Sequence, residues 1–261
     1  MSSRSLSIAA TGMQAQQENV DRIANNLANV NTTAFKKGRT DFQDLLYQTV
    51  KKPGDATSAT TENPVGIQFG VGVKNAATSK IFSAGTLKET GRNLDIAVKG
   101  EGFFPIQLPN GNVAYTRDGS FRMNSNHTLE TSDGFPVIPA VTFPANMVGV
   151  TIDHTGQIIV RDDKGSENPI GQIQLSEFAN PSGLESVGGN LYQATAASGA
   201  PSQGIPGQNN LGFVQQGFLE ESNVESVKEM VDLISAQRAF EMNSKVMRTA
   251  DEMLNNLVNG R

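Results

Sequence analysis

Apolar residues near the carboxyl end recur with the spacing of a helix that packs along its whole length. Leu233, Phe240, Met247 and Leu254 stand seven apart; Ala236, Asn243, Ala250 and Leu257 follow three behind; Ala239, Val246 and Met253 fill the adjoining row. Asn243 alone is polar among them, which is coiled-coil spacing with one interruption. Ser222 with Glu225 three residues on reads as a capping box that opens the helix. Glu241 and Lys245, and Arg248 and Glu252, lie four apart and support an exposed face. No proline or glycine breaks the run before Gly260. As one helix, 224–258 would span roughly 50 Å at ~1.5 Å per residue, far beyond the ~11–12 residues of a mean globular helix. A stripe this long and wide needs a partner.

The amino end repeats the pattern more thinly. Leu6, Met13, Val20 and Leu27 form one row, with Ala9, Gln16, Ile23 and Val30 three behind. Asn19, Asn25, Asn26 and Asn29 are poor helix formers, so this helix alone is marginal. The matching stripe at the other terminus is its expected partner. Two helices on each other cover about half of each stripe, while ordering their backbone costs ~1–2 kcal/mol per residue. The pair is therefore expected to be largely disordered in the monomer and to fold on assembly.

Between the helices the punctuation changes. All 11 prolines and 23 of the 26 glycines lie between positions 53 and 217. Residues 51–64 read as a loop or arm and 65–73 as a strand of alternating apolar and glycine positions. From 93 to 191, turn pairs such as Asn110–Gly111, Asp118–Gly119, Asp133–Gly134, Thr155–Gly156 and Lys164–Gly165 separate short β-prone runs at 94–98, 103–108, 113–116, 148–152, 157–160 and 172–175. A further strand is expected over 211–219. The whole reads as α+β: paired N- and C-terminal coiled-coil-like helices (1–33 and 220–261), an extended hairpin or arm region (34–93 and 194–219), and an antiparallel all-β outer domain (94–193).

Composition narrows the function. Net charge is −5 with 18% charged residues, so nothing selects for nucleic acid. With no cysteine there is no disulfide, thiolate nucleophile or thiolate metal site. No apolar run is long enough for membrane insertion, and residues 1–10 lack the apolar core of a cleaved signal peptide. Lys36, Lys37 and Arg39 read as a small solvated basic face. His127 and His154 sit beside turn residues and read as surface loops rather than a metal pair or catalytic base. Asp162-Asp163 lacks the spaced oxygens of a calcium loop, and the Gly-x-Gly runs at 70–72 and 100–102 lack the third glycine and helix of a nucleotide fold. No enzyme, metal site or cofactor is indicated.

The two ends together carry a family signature. Residues 23–32 (IANNLANVNT) lead into Ala34-Phe35-Lys36. At the far end stand Ser222-Asn223-Val224, Leu233-Ile234, Gln237 to Glu241 (QRAFE), Asn243, Lys245, Thr249, Asp251, Met253 and Leu254. This resembles the axial proteins of the bacterial flagellum, the rod and hook family. The segments FQDLLYQT (42–49), Pro53-Gly54, GIQFGVGV (66–73), GEGFF (100–104) and YTRDGSF (115–121), with residues 183–192, are similar to the distal-rod branch. Ala34 stands where the family usually has glycine.

The resemblance implies a structural subunit that polymerises into a rigid hollow helical tube and transmits torque from motor to hook. It implies export through the flagellar export apparatus without a cleaved signal peptide, and assembly in the periplasm. Implied partners are copies of the chain, proximal rod proteins, hook protein and the surrounding ring proteins. The assembly helices would be carried by Leu6, Met13, Val20, Ile23, Leu27, Val30, Leu233, Phe240, Val246, Met247, Met253, Leu254 and Leu257. An arm holding Leu46, Tyr47, Pro53, Gly54, Ile67, Phe69 and Val71 would stiffen the shaft. A proximal rod or hook subunit is the alternative within the family, and a secreted coiled-coil binding module the alternative outside it.

Overall fold

Confining proline and glycine to the middle of the chain leaves both ends free to be helical. In the computed structural model, which describes residues 2–259 apart from 55, 59–60, 63 and 164, α1 covers Ser2–Ala28 and α2 covers Ser226–Asn259. At ~1.5 Å per residue α2 is roughly 50 Å long. It begins at Ser226, four residues after the expected cap. The Ser222 hydroxyl instead accepts from the Val224 N–H at 3.3 Å in the preceding turn. Val30 lies two residues past the end of α1, in the turn that follows it. The side chain of Leu257, and Gly260, fall outside the described residues.

The chain divides into two compact units. The first holds Met1–Ala28, Gly38–Ser79 and Glu225–Arg261. Beside the helices its described residues form six short strands: β1 (Gly38–Asp44), β2 (Gln48–Lys51), β3 (Ala56–Ser58), β4 (Thr61–Glu62), β5 (Ile67–Phe69) and β6 (Val73–Lys80). They pair β1–β6, β2–β5 and β3–β4, the nesting of one long hairpin. The hairpin spans 38–80, inside the 34–93 read as a hairpin or arm region, although its root carries no apolar alternation. GRTDFQD is held against α1, not by a core.

The second unit holds Asn29–Lys37 and Lys80–Val224. A four-stranded sheet runs in the order Glu185–Gly188, Leu191–Gln193, Val113–Thr116, Phe104–Gln107, with Tyr115 opposite both Tyr192 and Pro105. A three-stranded sheet joins Met147–Ile152, Gln157–Asp162 and Glu167–Gln172. One core, including Ile96, Phe104, Ile106, Phe121, Ile158, Ile173 and Val214, fills the space between such strands. A second, aromatic cluster sets Phe103, Tyr115, Phe178 and Tyr192 edge to face with one another and with Phe82.

Two expected strands are divided. The run 172–175 spans the end of one strand and the start of the next, Leu175–Glu177, because Ile173 turns inward and its N–H bonds Gly156 O at 2.8 Å. The run 211–219 breaks at Gly217, whose φ is +78°. Phe213–Gln216 then pairs with Ile96–Lys99, and Phe218–Glu220 with Leu87–Glu89. Gly119 is no ordinary turn glycine. A Cβ there would lie 1.6 Å from the Ile96 carbonyl oxygen, so the residue marks a backbone-on-backbone approach.

Candidate assembly interface

The first unit is built so that its helix pair satisfies only one side of α2. Side chains buried along the two helices are mostly small: Ala9, Ala15 and Ile23 on α1, Ala236 and Ala250 on α2. Leu6, Met13, Val20, Leu27, Leu233, Met247 and Leu254 are half-buried. At mid-seam the Asn243 amide rests against Gly12, where an added Cβ would come within 2.9 Å of Nδ2. Nearer the C-terminal end of α1, Asn26 is buried and ties three segments. Its Nδ2 donates to Gly38 O at 3.0 Å and to Glu229 Oε2 at 3.1 Å, and its Oδ1 accepts from the Gly38 N–H at 2.9 Å.

The large residues of the third row are left in water: Val246 is 49% exposed and Met253 57%, and Phe240 of the first row is 36% exposed. So are residues outside the heptad rows: Val227, Met230, Val231, Ile234 and Met242. Fully burying a side chain of this size contributes ~1.5–3 kcal/mol, so eight that are about half covered leave roughly 6–12 kcal/mol unused. Exposed apolar surface on this scale marks an interaction site.

The hairpin does not project from the helix pair at its root; it runs back along α1. Asn26 grips Gly38, the Val73 N–H points at Thr11 Oγ1 at 3.5 Å, and the Arg4 guanidinium lies 4.8 Å over the Phe69 ring. From Asn26 to Arg4 α1 spans ~33 Å at ~1.5 Å per residue, and the strand from Gly38 to Gln48 spans ~33 Å at ~3.3 Å per residue. The lengths match, so Phe69, opposite Gln48, arrives over the first turn of α1. Leu46 is 92% exposed, and Tyr47, Pro53, Gly54, Ile67 and Phe69 are also exposed; Val71 is half-buried.

The second unit contains a sealed ionic cluster that the sequence reading missed. Lys36, taken above as solvated, is fully buried. Its Nζ lies 2.6 Å from Glu220 Oε1 and donates to Ser83 O at 2.8 Å. The other Glu220 oxygen accepts from Arg117 Nε at 2.9 Å, and Oε1 also accepts from the Gly85 N–H at 2.8 Å. Arg117 also donates to Gly102 O at 3.1 Å and to Gly100 O at 2.6 Å. Burial pushes the Glu220 carboxyl up, but Arg117 and Lys36 together hold it below its ordinary range. Burial lowers Lys36, opposed by Glu220 and assisted by Arg117. Burial also raises the Tyr192 hydroxyl, which has no hydrogen-bond partner among the described residues. Lys37 is half-buried and Arg39 exposed, so one of the three basic residues is reassigned outright.

Backbone ties close the same joint. Ala34 N–H bonds Glu220 O at 2.7 Å. Asn223 Oδ1 accepts from the Lys37 N–H at 2.7 Å, while its Nδ2 donates to Ile81 O at 2.8 Å. The two terminal signatures, Ala34-Phe35-Lys36 and Ser222-Asn223-Val224, thus meet in space. Ala34 sits at φ +56° and is buried, a left-handed conformation usually left to glycine. His127 is half-buried at φ +58°, and His154 is exposed with Nδ1 3.2 Å from Val214 O. Among the described residues no acidic or histidine cluster is arranged to hold a metal.

Three family models match the chain: "Flagella basal body rod protein" over 6–36, "Flagellar hook protein FlgE/F/G D1 domain" over 97–160, and "Flagellar basal body rod FlgEFG protein C-terminal" over 215–260. Flagellar basal-body rod protein FlgG of Borreliella burgdorferi is 49% identical over 254 residues, covering 96% of each chain. The FlgG of Agrobacterium fabrum is 47% identical, with 96% of each chain covered, and that of Bacillus subtilis 39%, with 98% of each. A crystal structure of Helicobacter pylori flagellar hook protein FlgE2 aligns with 70% of this chain and 43% of its own, at 14% identity and a TM-score of 0.25, too low to bear on the fold.

Proposed function

From the premise that the chain belongs to the flagellar basal-body rod protein family, and is a structural subunit of the distal rod and not an enzyme, we propose how it is built to do that work. Copies polymerise through their terminal helices, which pack in coiled-coil fashion to form the wall around a hollow core. The hairpin braces the wall, with Leu46, Tyr47, Pro53, Gly54, Ile67, Phe69 and Val71 supplying the contacts that stiffen the shaft. Assembly takes place in the periplasm after export through the flagellar export apparatus without a cleaved signal peptide. Proximal rod and hook proteins adjoin the polymer at its two ends, and ring proteins surround it. The polymer carries torque from the motor to the hook.

The observation that supports this reading best is the uncovered side of α2. Met242, Val246 and Met253 face water on a helix whose opposite side is already occupied by α1. The test is to replace Met242 and Val246 together by aspartate in motile cells. Neither residue belongs to the buried seam, so the variant monomer should match the natural monomer by circular dichroism while the shaft fails to form and swimming stops. A folded variant that still swims would count against the reading.

A further inference from the structure

One hollow lies wholly within the second unit, plays no part in the helix stripe or the hairpin, and is charged on its lining with one sign only. We propose that it receives one arginine side chain from a protein other than this chain. Two of its lining residues, Ser83 and Gly102, supply the carbonyls that bind Lys36 and Arg117, so the cleft stands directly against the sealed ionic cluster.

Local pairing builds the cleft. Phe103 and Ser176 exchange two backbone hydrogen bonds, at 2.8 and 2.9 Å, which set Glu101–Phe103 beside Ser176–Phe178. One 3-10 turn, Pro181–Gly183, adds Pro181 and Ser182 to the same lining. The turn is pinned, because a Cβ on Gly183 would lie 2.7 Å from the Ala197 backbone and Ser182 Oγ donates to Lys80 O at 3.4 Å. Phe82, Phe103 and Phe178 supply the apolar wall, stacked edge to face with centroids 5.5 and 5.8 Å apart. The space measures about 350 Å³, the size of a small-ligand pocket.

Glu101 and Glu177 are the only charged residues on the lining. Glu101 is exposed and makes no ion pair among the described residues; Glu177 is half-buried and accepts only a long bond, 3.4 Å, from Asn210 Nδ2. The cations nearby are engaged elsewhere. Lys36 and Arg117 are bound to Glu220 and backbone carbonyls, and the Lys80 ammonium stands 5.1 and 5.3 Å over the Phe35 and Tyr192 rings. Carboxylates beside aromatic rings suit a guanidinium, which is planar, weakly hydrated and able to bond a carboxylate through two N–H groups. The cluster already accepts one from within: Arg117 Cζ lies 5.7 Å from the Phe103 centroid. The second unit carries ten lysines and arginines against fourteen aspartates and glutamates, a net of −4 out of the chain's −5. Second units of two copies therefore repel, and on the rod reading, on which this step rests, copies join through the helix pair. A different, arginine-bearing protein is the occupant that the charge favours.

The test titrates the full-length monomer with N-acetyl-arginine amide, N-acetyl-lysine amide and the uncharged isostere N-acetyl-citrulline amide, read by the amide signals of Gly102, Phe103 and Ser182. The arginine derivative should give saturable shifts confined to the cleft, the lysine derivative weaker ones and citrulline none. Glu101→Gln alters an exposed side chain and should weaken arginine binding roughly 10-fold, the loss of one charge-assisted hydrogen bond. Glu167→Gln, an exposed acid outside the cleft, should leave it unchanged. No saturable shifts, equal shifts from citrulline, or undiminished affinity in Glu101→Gln would overturn the site. In cells, a photo-crosslinking p-benzoylphenylalanine in place of Ser182 should join the chain to a different protein at a peptide containing an arginine, and changing that arginine to glutamine should abolish the adduct. An adduct with another copy of this chain, or none in swimming cells, would overturn the choice of partner and leave the rod reading intact. Swimming by cells that lack the chain altogether would instead overturn the rod reading.

Discussion

Replacing Glu220 by glutamine should destabilise the second unit more than any other single change to its ionic cluster. The carboxylate is fully buried and holds two cations and one amide N–H. At an effective dielectric near 20, each cation at about 3 Å is attracted by ~5 kcal/mol. Glu220→Gln removes both attractions and leaves Lys36 and Arg117 facing each other without an anion between them. After relaxation and water entry the expected loss is ~3–5 kcal/mol. Lys36→Met is the informative contrast. It forfeits one attraction but also removes a buried ammonium and its repulsion from Arg117, leaving a neutral Arg117–Glu220 pair, so the cost should be only ~0–2 kcal/mol. Urea unfolding followed by the near-ultraviolet circular dichroism of Tyr115 and Tyr192 reads both variants. A Lys36→Met variant as unstable as Glu220→Gln would refute the reasoning. Acid supplies the same perturbation reversibly. Because the folded carboxyl lies below its ordinary 4.5, its contribution is complete above that pH and is lost as pH falls through the folded value. The gap between wild type and Glu220→Gln should therefore close in that acidic range and not near neutrality.

Other positions give independent checks. Ala34→Gly should stay within ~1 kcal/mol of wild type in urea unfolding, as relief of the left-handed strain offsets a lost methyl and added chain entropy, whereas Ala34→Val should cost ~2–4 kcal/mol; equal stability of the two would contradict the φ assignment. Deleting 46–73 should give a more bendable polymer by electron microscopy, and straight, rigid tubes would argue against a stiffening role. Asn243→Leu forces a branched side chain against Gly12, so if the amide fixes register the rod should fail to assemble; normal swimming would remove that idea. In a monomer, amides of α1 and α2 should resonate at random-coil shifts while those of the second unit remain dispersed, and dispersed helical shifts from both ends would show that assembly is not needed to fold them.

The helices were legible because a 3.6-residue repeat shows through even when its partner is unknown, and Val113–Thr116 stood out as a short apolar run between turns. The joint was not. Lys36 lies in a basic triplet that looks solvated, and nothing local tells which of three neighbouring cations turns inward. Its counter-charge is 184 residues away. The available hint was Glu220 itself, an acid ending a strand-like run just before a helix. Asn26 was read as a weak helix former, and its cost in propensity is offset by three hydrogen bonds made only in the tertiary fold. The strands of the hairpin root were not individually legible for a related reason: a strand that lies on a helix needs polar anchors such as Thr11 and Asn26 more than apolar alternation. Gly12 gave a usable signal, since a lone glycine in a helical pattern marks a close approach.

The central claim, that this chain builds the distal part of the drive shaft, is tested most directly by electron cryotomography of flagellar motors in cells lacking its gene. The account predicts a rod that stops partway, with no hook beyond it. A complete rod lacking only its hook, or an intact motor, would contradict it.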